Sequence, residues 1–190
     1  MHRRANLLVS ALTVLAALVP AVVCSAVSAV EEATLSEPEV RRYAALFLDD
    51  PLSENGRAAA GFILKFIEVT DKVSVTIAPW FVPWIGDGKN YKNDQWLLAA
   101  YAIGNALSQL DSGVCANDAY SGEIQLFRVY RHMKAKDASY TVPDIENLLA
   151  VHKKGELAAY LAKAEKEGEA KMAEQKDKAA EKGQKGEKKP

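Results

Sequence analysis

Residues 94–111, DQWLLAAYAIGNALSQLD, decide how the rest of the chain is read. Trp96, Leu97, Leu98, Tyr101, Ile103, Leu107 and Leu110 cover most of the circumference of a helix, and Gly113 follows as a stop. A helix that is apolar nearly all round belongs at the centre of a fold, with other helices packed about it. Ala100 and Gly104 give a small-residue spacing that lets a neighbouring helix approach closely. Asn105 and Gln109 lie one turn apart on the same helix, and burial would oblige each to find hydrogen-bond partners.

Toward the N-terminus, Ser36-Glu37-Pro38-Glu39 reads as a helix start: Ser36 as cap, Glu39 three residues on, Pro38 in the first turn. Val40, Tyr43, Ala44 and Phe47 then recur at helical spacing until Asp49-Asp50-Pro51 stops them. A second helix is expected from about Ser53 to Glu68, with Phe62, Ile63, Phe66 and Ile67 as its apolar face. Gly56 and Gly61 weaken it by about 1 kcal/mol each relative to Ala. Val73, Val75 and Ile77 next alternate with Ser74 and Thr76, which is a strand period. One short strand cannot stand alone. The segment is therefore expected either as extended chain packed on helices or as a strand paired with a second copy.

The segment 78–85, APWFVPWI, is the most unusual in the chain. Pro79 and Pro83 exclude a regular helix or a central strand. Trp80 and Trp84 are the candidate contacts for a partner protein, an apolar ligand or a lipid surface. The competing reading packs both rings into the core and closes it.

Toward the C-terminus, Asn117 or Asp118 caps a fourth helix reaching about Lys136, with Tyr120, Ile124, Phe127 and Tyr130 as its core stripe. Thr141-Val142-Pro143 opens a fifth carrying Ile145, Leu148 and Leu149, and a sixth begins at Glu156-Leu157 with Tyr160 and Leu161. Beyond Ala162 large apolar residues almost vanish, Met172 excepted. Glu167/Lys171, Glu174/Lys178 and Glu181/Lys185 are spaced as favourable pairs in a fraying helix or a disordered spacer. A weak contact with anionic wall polymer or lipid is the alternative role for this stretch. The expected fold is mostly α: a compact array of five to six helices with an irregular Pro/Trp-rich connection. Its divisions are a signal peptide at 1–29, a globular domain at 30–162 and a Lys/Glu/Ala-rich tail at 163–190.

The N-terminus carries the clearest targeting signal. His2, Arg3 and Arg4 form a basic start, Leu7 to Val19 is almost entirely apolar, and small residues follow Pro20. That is the layout of a secretory signal cut after Ala29 or Ala26. Two rival readings are an uncleaved anchor spanning Leu7 to Ala29, and a lipid anchor on Cys24, against which Val23 stands as an unfavourable preceding residue. Cleavage leaves Cys115 as the one cysteine, without an internal disulfide partner. It is expected as a small buried hydrophobe, with an intermolecular bridge or a reactive thiol as the sharper readings.

A net charge of −1 provides no clustered positive field for a nucleic acid. Catalytic signatures do not appear: there is no H-E-x-x-H, C-x-x-C or G-x-S-x-G, and no Walker or dinucleotide loop. Asp87 to Asp94 imitates a calcium loop but places Lys89 and Tyr91 where oxygen ligands belong. No metal and no cofactor is expected. Asp49/Asp50, Asp111 and Asp118 are carboxylate candidates only by number, and His132 and His152 read as helix-end residues. Arg128 and Arg131 are placed to hold an anion or, more simply, to face water. These observations favour a non-enzymatic exported interaction protein whose partner is another envelope protein, touching membrane only through an uncleaved N-terminus. The alternatives are a carrier of a small apolar ligand beneath Trp80, Trp84, Trp96 and Tyr101, and an enzyme of unrecognised type.

Overall fold

The computed structural model describes residues 35–86 and 90–186. Their order is α1 (Glu37–Asp49), α2 (Glu54–Val69), α3 (Asp94–Ser112), α4 (Ala119–Lys136), α5 (Pro143–Lys153) and α6 (Leu157–Gly186). The described residues contain six helices and no strand, so the protein is mostly α. The segment expected as signal peptide (1–29) and residues 87–89 of the calcium-like loop lie outside the described residues.

Local chemistry sets the helix ends. Glu39 reaches back to accept from the Ser36 amide at 2.8 Å, which supports the start of α1. The Ser53 hydroxyl accepts from the Gly56 amide at 3.0 Å, and an Asp118 carboxylate oxygen accepts from the Ser121 amide at 3.0 Å. Gly113 ends α3 in the left-handed conformation (φ 68°).

α3 is the central element and packs against α1, α2 and α4. Leu97, Ala100, Tyr101, Ile103, Asn105 and Ala106 on it are fully enclosed. The α3–α4 contact is close because glycine stands on both sides. A Cβ on Gly104 would come within 2.6 Å of Gln125 and of the Ser121 carbonyl, and one on Gly122 within 2.8 Å of the Tyr101 ring. This close approach turns α4 from its expected face. Gly122, Glu123, Leu126, Phe127, Val129, Tyr130 and Met133 are buried, while Tyr120 is 42% exposed.

Residues 73–77 follow an extended course but belong to no sheet. Side chains of α3 and of the α3–α4 loop take the place of a neighbouring strand. Gln109 accepts from the Ser74 amide at 2.8 Å and donates to the Ser74 carbonyl at 2.9 Å. Asn117 accepts from the Thr76 amide at 2.8 Å, and the Tyr101 hydroxyl donates to the Thr76 carbonyl at 3.2 Å. Asn105 ties the set together: its carbonyl oxygen accepts from Gln109 at 2.7 Å and from the Asp118 amide at 2.9 Å, and its amide donates to Asn117 at 2.7 Å. Both polar residues inside α3 are thereby satisfied.

α6 runs unbroken past Ala162, where the composition changes. Leu157, Leu161 and Gly168 on it are buried, and Ala164 and Met172 half-buried, so one stripe continues from the domain into the charged stretch. Of the charge pairs read from that stretch, Glu174–Lys178 closes at 2.6 Å, whereas Glu167 lies 3.8 Å from Lys163.

Candidate functional site

The Pro/Trp connection forms a compact turn. The amides of Phe81 and Val82 both donate to the Ala78 carbonyl, at 2.9 and 3.0 Å. This turn sends Phe81, Val82 and Trp84 into the core, where Trp84 is fully enclosed. Trp80 is half-buried, with its ring edge-on to Phe81 at 6.0 Å between centroids. Its other neighbour is α6: a Cβ on Gly168 would lie 2.3 Å from the Trp80 ring. The two candidate contact residues therefore part company, Trp84 inside the helical core and Trp80 under α6. Trp96 is half-buried and Tyr101 enclosed, both packed with the core.

α4 carries a group that pattern reading passed over. Glu123 is 0% exposed, and neither carboxylate oxygen has a hydrogen-bond partner. Burial alone drives its pKa well above the ordinary carboxylate range. Tyr101 is raised as well, first by burial and then by the negative charge of Glu123. The indole N–H groups of Trp80 and Trp84 are also buried without partners. Glu123 precedes Phe127 by one turn and Tyr130 by two, and that spacing was the available signal.

An open groove lies elsewhere, between α1, α3 and α4. A groove of about 740 Å³ is lined by Ala44, Ala45, Leu46, Leu48 and Leu107 and edged by Arg41, Arg42, Arg128, Asp49 and Asp111. Leu46 is 47% exposed within it. Arg41 is ion-paired with Asp111, and the Arg42 guanidinium stands 4.8 Å from the Tyr43 ring centre. Arg128 makes no ion pair among the described residues.

The remaining candidates are spread apart. Asp118 caps α4, and the Ser108 and Ser121 hydroxyls donate to it at 2.6 and 2.7 Å. Asp50 is held below the usual carboxylate range, chiefly by Lys136 at 2.7 Å. His132 Nε2 lies 3.4 Å from Asp50 without hydrogen-bond geometry. His152, in the last turn of α5, packs its ring 5.6 Å from Phe127. Arg131 is exposed on α4. Cys115 is exposed rather than buried, because the loop carrying it lies at the surface beside Asp71, whose carbonyl is 3.6 Å from Sγ. A polar cluster joins α4 to α5: Tyr130 donates to Glu146 at 2.6 Å and Lys134 pairs with the same carboxylate. Burial, then the Glu146 contact, pushes Tyr130 up to about 12. Among the described residues no group of three or more acidic, His or Cys side chains could hold a metal ion, and no helix is long and apolar enough to cross a membrane.

Comparison with protein-family models, curated proteins and solved structures found no match. The functional reading therefore rests on the geometry of this chain.

Proposed function

We propose that this chain is an exported, non-enzymatic interaction protein that holds an acidic, amphipathic segment of another envelope protein in the groove between α1, α3 and α4. The groove itself carries this reading. Its floor is apolar, its edge holds three arginines against two aspartates, and Arg128 has no ion-pair partner among the described residues. A helix with one apolar face and scattered carboxylates would bury Leu46 and meet Arg42 and Arg128 at the rim. The small-ligand alternative used Trp80, Trp84, Trp96 and Tyr101; Trp84 and Tyr101 are enclosed and Trp80 and Trp96 pack half-buried against the core, so the groove is the better-supported place for any ligand.

The experiment is photocrosslinking in the native host from a photoreactive side chain at position 46, with a second at Tyr160 as control. The expected product joins position 46 to an acidic segment of one protein, and Arg42→Glu with Arg128→Glu removes it while the helical circular dichroism stays unchanged. Each reversal is expected to weaken the complex about tenfold, less at high salt. Equal, non-selective crosslinking from both positions would defeat the proposal. Export has its own check: the intact mass of the chain recovered from the envelope or medium should correspond to a cut after Ala29 or Ala26.

A further inference from the structure

α6 meets the rest of the molecule in two unequal ways. Leu157 and Leu161 sit in the hydrophobic core at 1% and 4% exposure and anchor its first turns. From Ala162 on, the contact narrows to Ala164, Gly168 and Met172, of which only Gly168 is buried. Residues 173–176 and Lys178 are exposed. Gly168 is the one glycine between Gly155 and Gly183. It stands where the helix crosses the Trp80 ring, with no room for a Cβ between them. Glycine inside a helix weakens it relative to alanine, so helix strength is given up here for closeness to the ring. The covering is chemically incomplete: the Trp80 indole N–H is shut away from water and receives no acceptor.

We infer that α6 beyond Leu161 is a releasable cover over Trp80, and that its opening turns this tryptophan from a covered ring into an accessible contact. Closed, the cover buries the ring against Gly168 along a narrow stripe. Open, the indole N–H regains water as its acceptor and the chain regains conformational freedom. A helix so polar is marginal once its packing is lost, so release and unravelling of residues 162–186 are one event. Leu157 and Leu161 stay seated and mark where the opening stops. Trp84 does not take part, because its ring is enclosed in the helical core. The two tryptophans of the Pro/Trp turn thus differ in role: Trp84 holds the turn in place, and Trp80 is presented only when the cover leaves. No residue of α6 lines the α1–α3–α4 groove, and the inference does not depend on what the groove binds.

Hydrogen exchange of the full chain, followed by NMR at the backbone amides and the indole N–H groups, tests the cover. In the unaltered chain the Trp80 indole and the amides of residues 168–172 are expected to share one protection factor within about threefold, at least about a hundredfold below that of the Trp84 indole and the buried α3 amides. Gly168→Ala improves helix propensity but drives a methyl group into the ring. A cover held at the ring then opens about tenfold more often, which speeds exchange at the Trp80 indole and at residues 168–172 and leaves the Trp84 indole unchanged. A helix end that merely frays is strengthened by alanine and exchanges more slowly. The inference is overturned if the Trp80 indole exchanges only as slowly as that of Trp84, or if it exchanges while the α6 amides stay protected. It is equally overturned if Gly168→Ala slows that exchange or leaves it unchanged. Where Gly168→Ala fails to fold, the two indoles of the unaltered chain decide alone.

Discussion

The interior holds two sets of buried polar atoms, and the fold treats them in opposite ways. On α3, Asn105 and Gln109 are 0% and 2% exposed, and they are joined by short bonds to one another, to the Asp118 amide and to the extended segment. On α4, Glu123 is equally enclosed but neither of its oxygens is partnered, and the indole N–H groups of Trp80 and Trp84 are in the same condition. The first set does the work of a missing strand and fixes where residues 73–77 run. The second fixes nothing by hydrogen bonding and ties the fold to a proton instead. A buried amide can be satisfied by neutral neighbours at any pH, whereas a buried carboxyl without a cation stays in the interior only in its protonated form.

The sharpest way to break this contrast is at Gln109. Gln109→Leu keeps the size of the side chain and removes both bonds to Ser74 and the bond to Asn105. The groups left behind include partly buried backbone, so the expected loss is about 3 kcal/mol in urea unfolding. A loss below about 1 kcal/mol would mean that water replaces the side chain and that the network does not position the segment.

Glu123 sharpens the contrast through pH. Its pKa is raised in the folded chain, so the folded state holds the proton longer than the unfolded state does. The sign follows: this contribution is fully present below the unfolded value of about 4.3 and is lost as pH rises toward the folded pKa, with a slope of up to about 1.4 kcal/mol per pH unit. Glu123→Gln removes the titration, so its stability should vary less with pH and should exceed that of the parent chain at neutral pH. Thermal melts of both proteins across mildly acidic to neutral pH check this. Parallel curves would show that the carboxylate finds a compensating partner.

The helix boundaries were legible in the sequence because caps are local: Ser36 with Glu39, Ser53, Asp118, Gly113 and Pro143 each act within one turn. The centrality of α3 was legible from its all-round apolar surface. What escaped depends on neighbours distant in sequence. The buried face of α4 turns because Gly122 rests on the Tyr101 ring, a contact no single-helix pattern contains. Ala164, Gly168 and Met172 continue the stripe of Leu157 and Leu161, but small residues among lysines and glutamates read as tail composition until Trp80 is seen to need the gap at Gly168. At the groove, the sequence offered Arg128, but nothing local linked it to Arg41 and Arg42 on α1.

The smallest effect is expected at Trp84, where the contrast concerns one N–H group. For an indole that donates a hydrogen bond, conversion to Phe loses the bond and part of the packing together. Trp84 donates none among the described residues, so Trp84→Phe removes a buried polar group that folding had already stripped of water. That gain offsets the cavity left by the smaller ring, and the two opposing effects are of similar size. The unfolding midpoint should therefore move by no more than about 1 kcal/mol in stability, with the denaturant slope unchanged. Trp84→Ala lacks this compensation and should cost about 3–5 kcal/mol. Should Trp84→Phe cost as much as the alanine variant, the indole N–H is bound in solution, and a water molecule between it and another buried acceptor would be the first partner to seek.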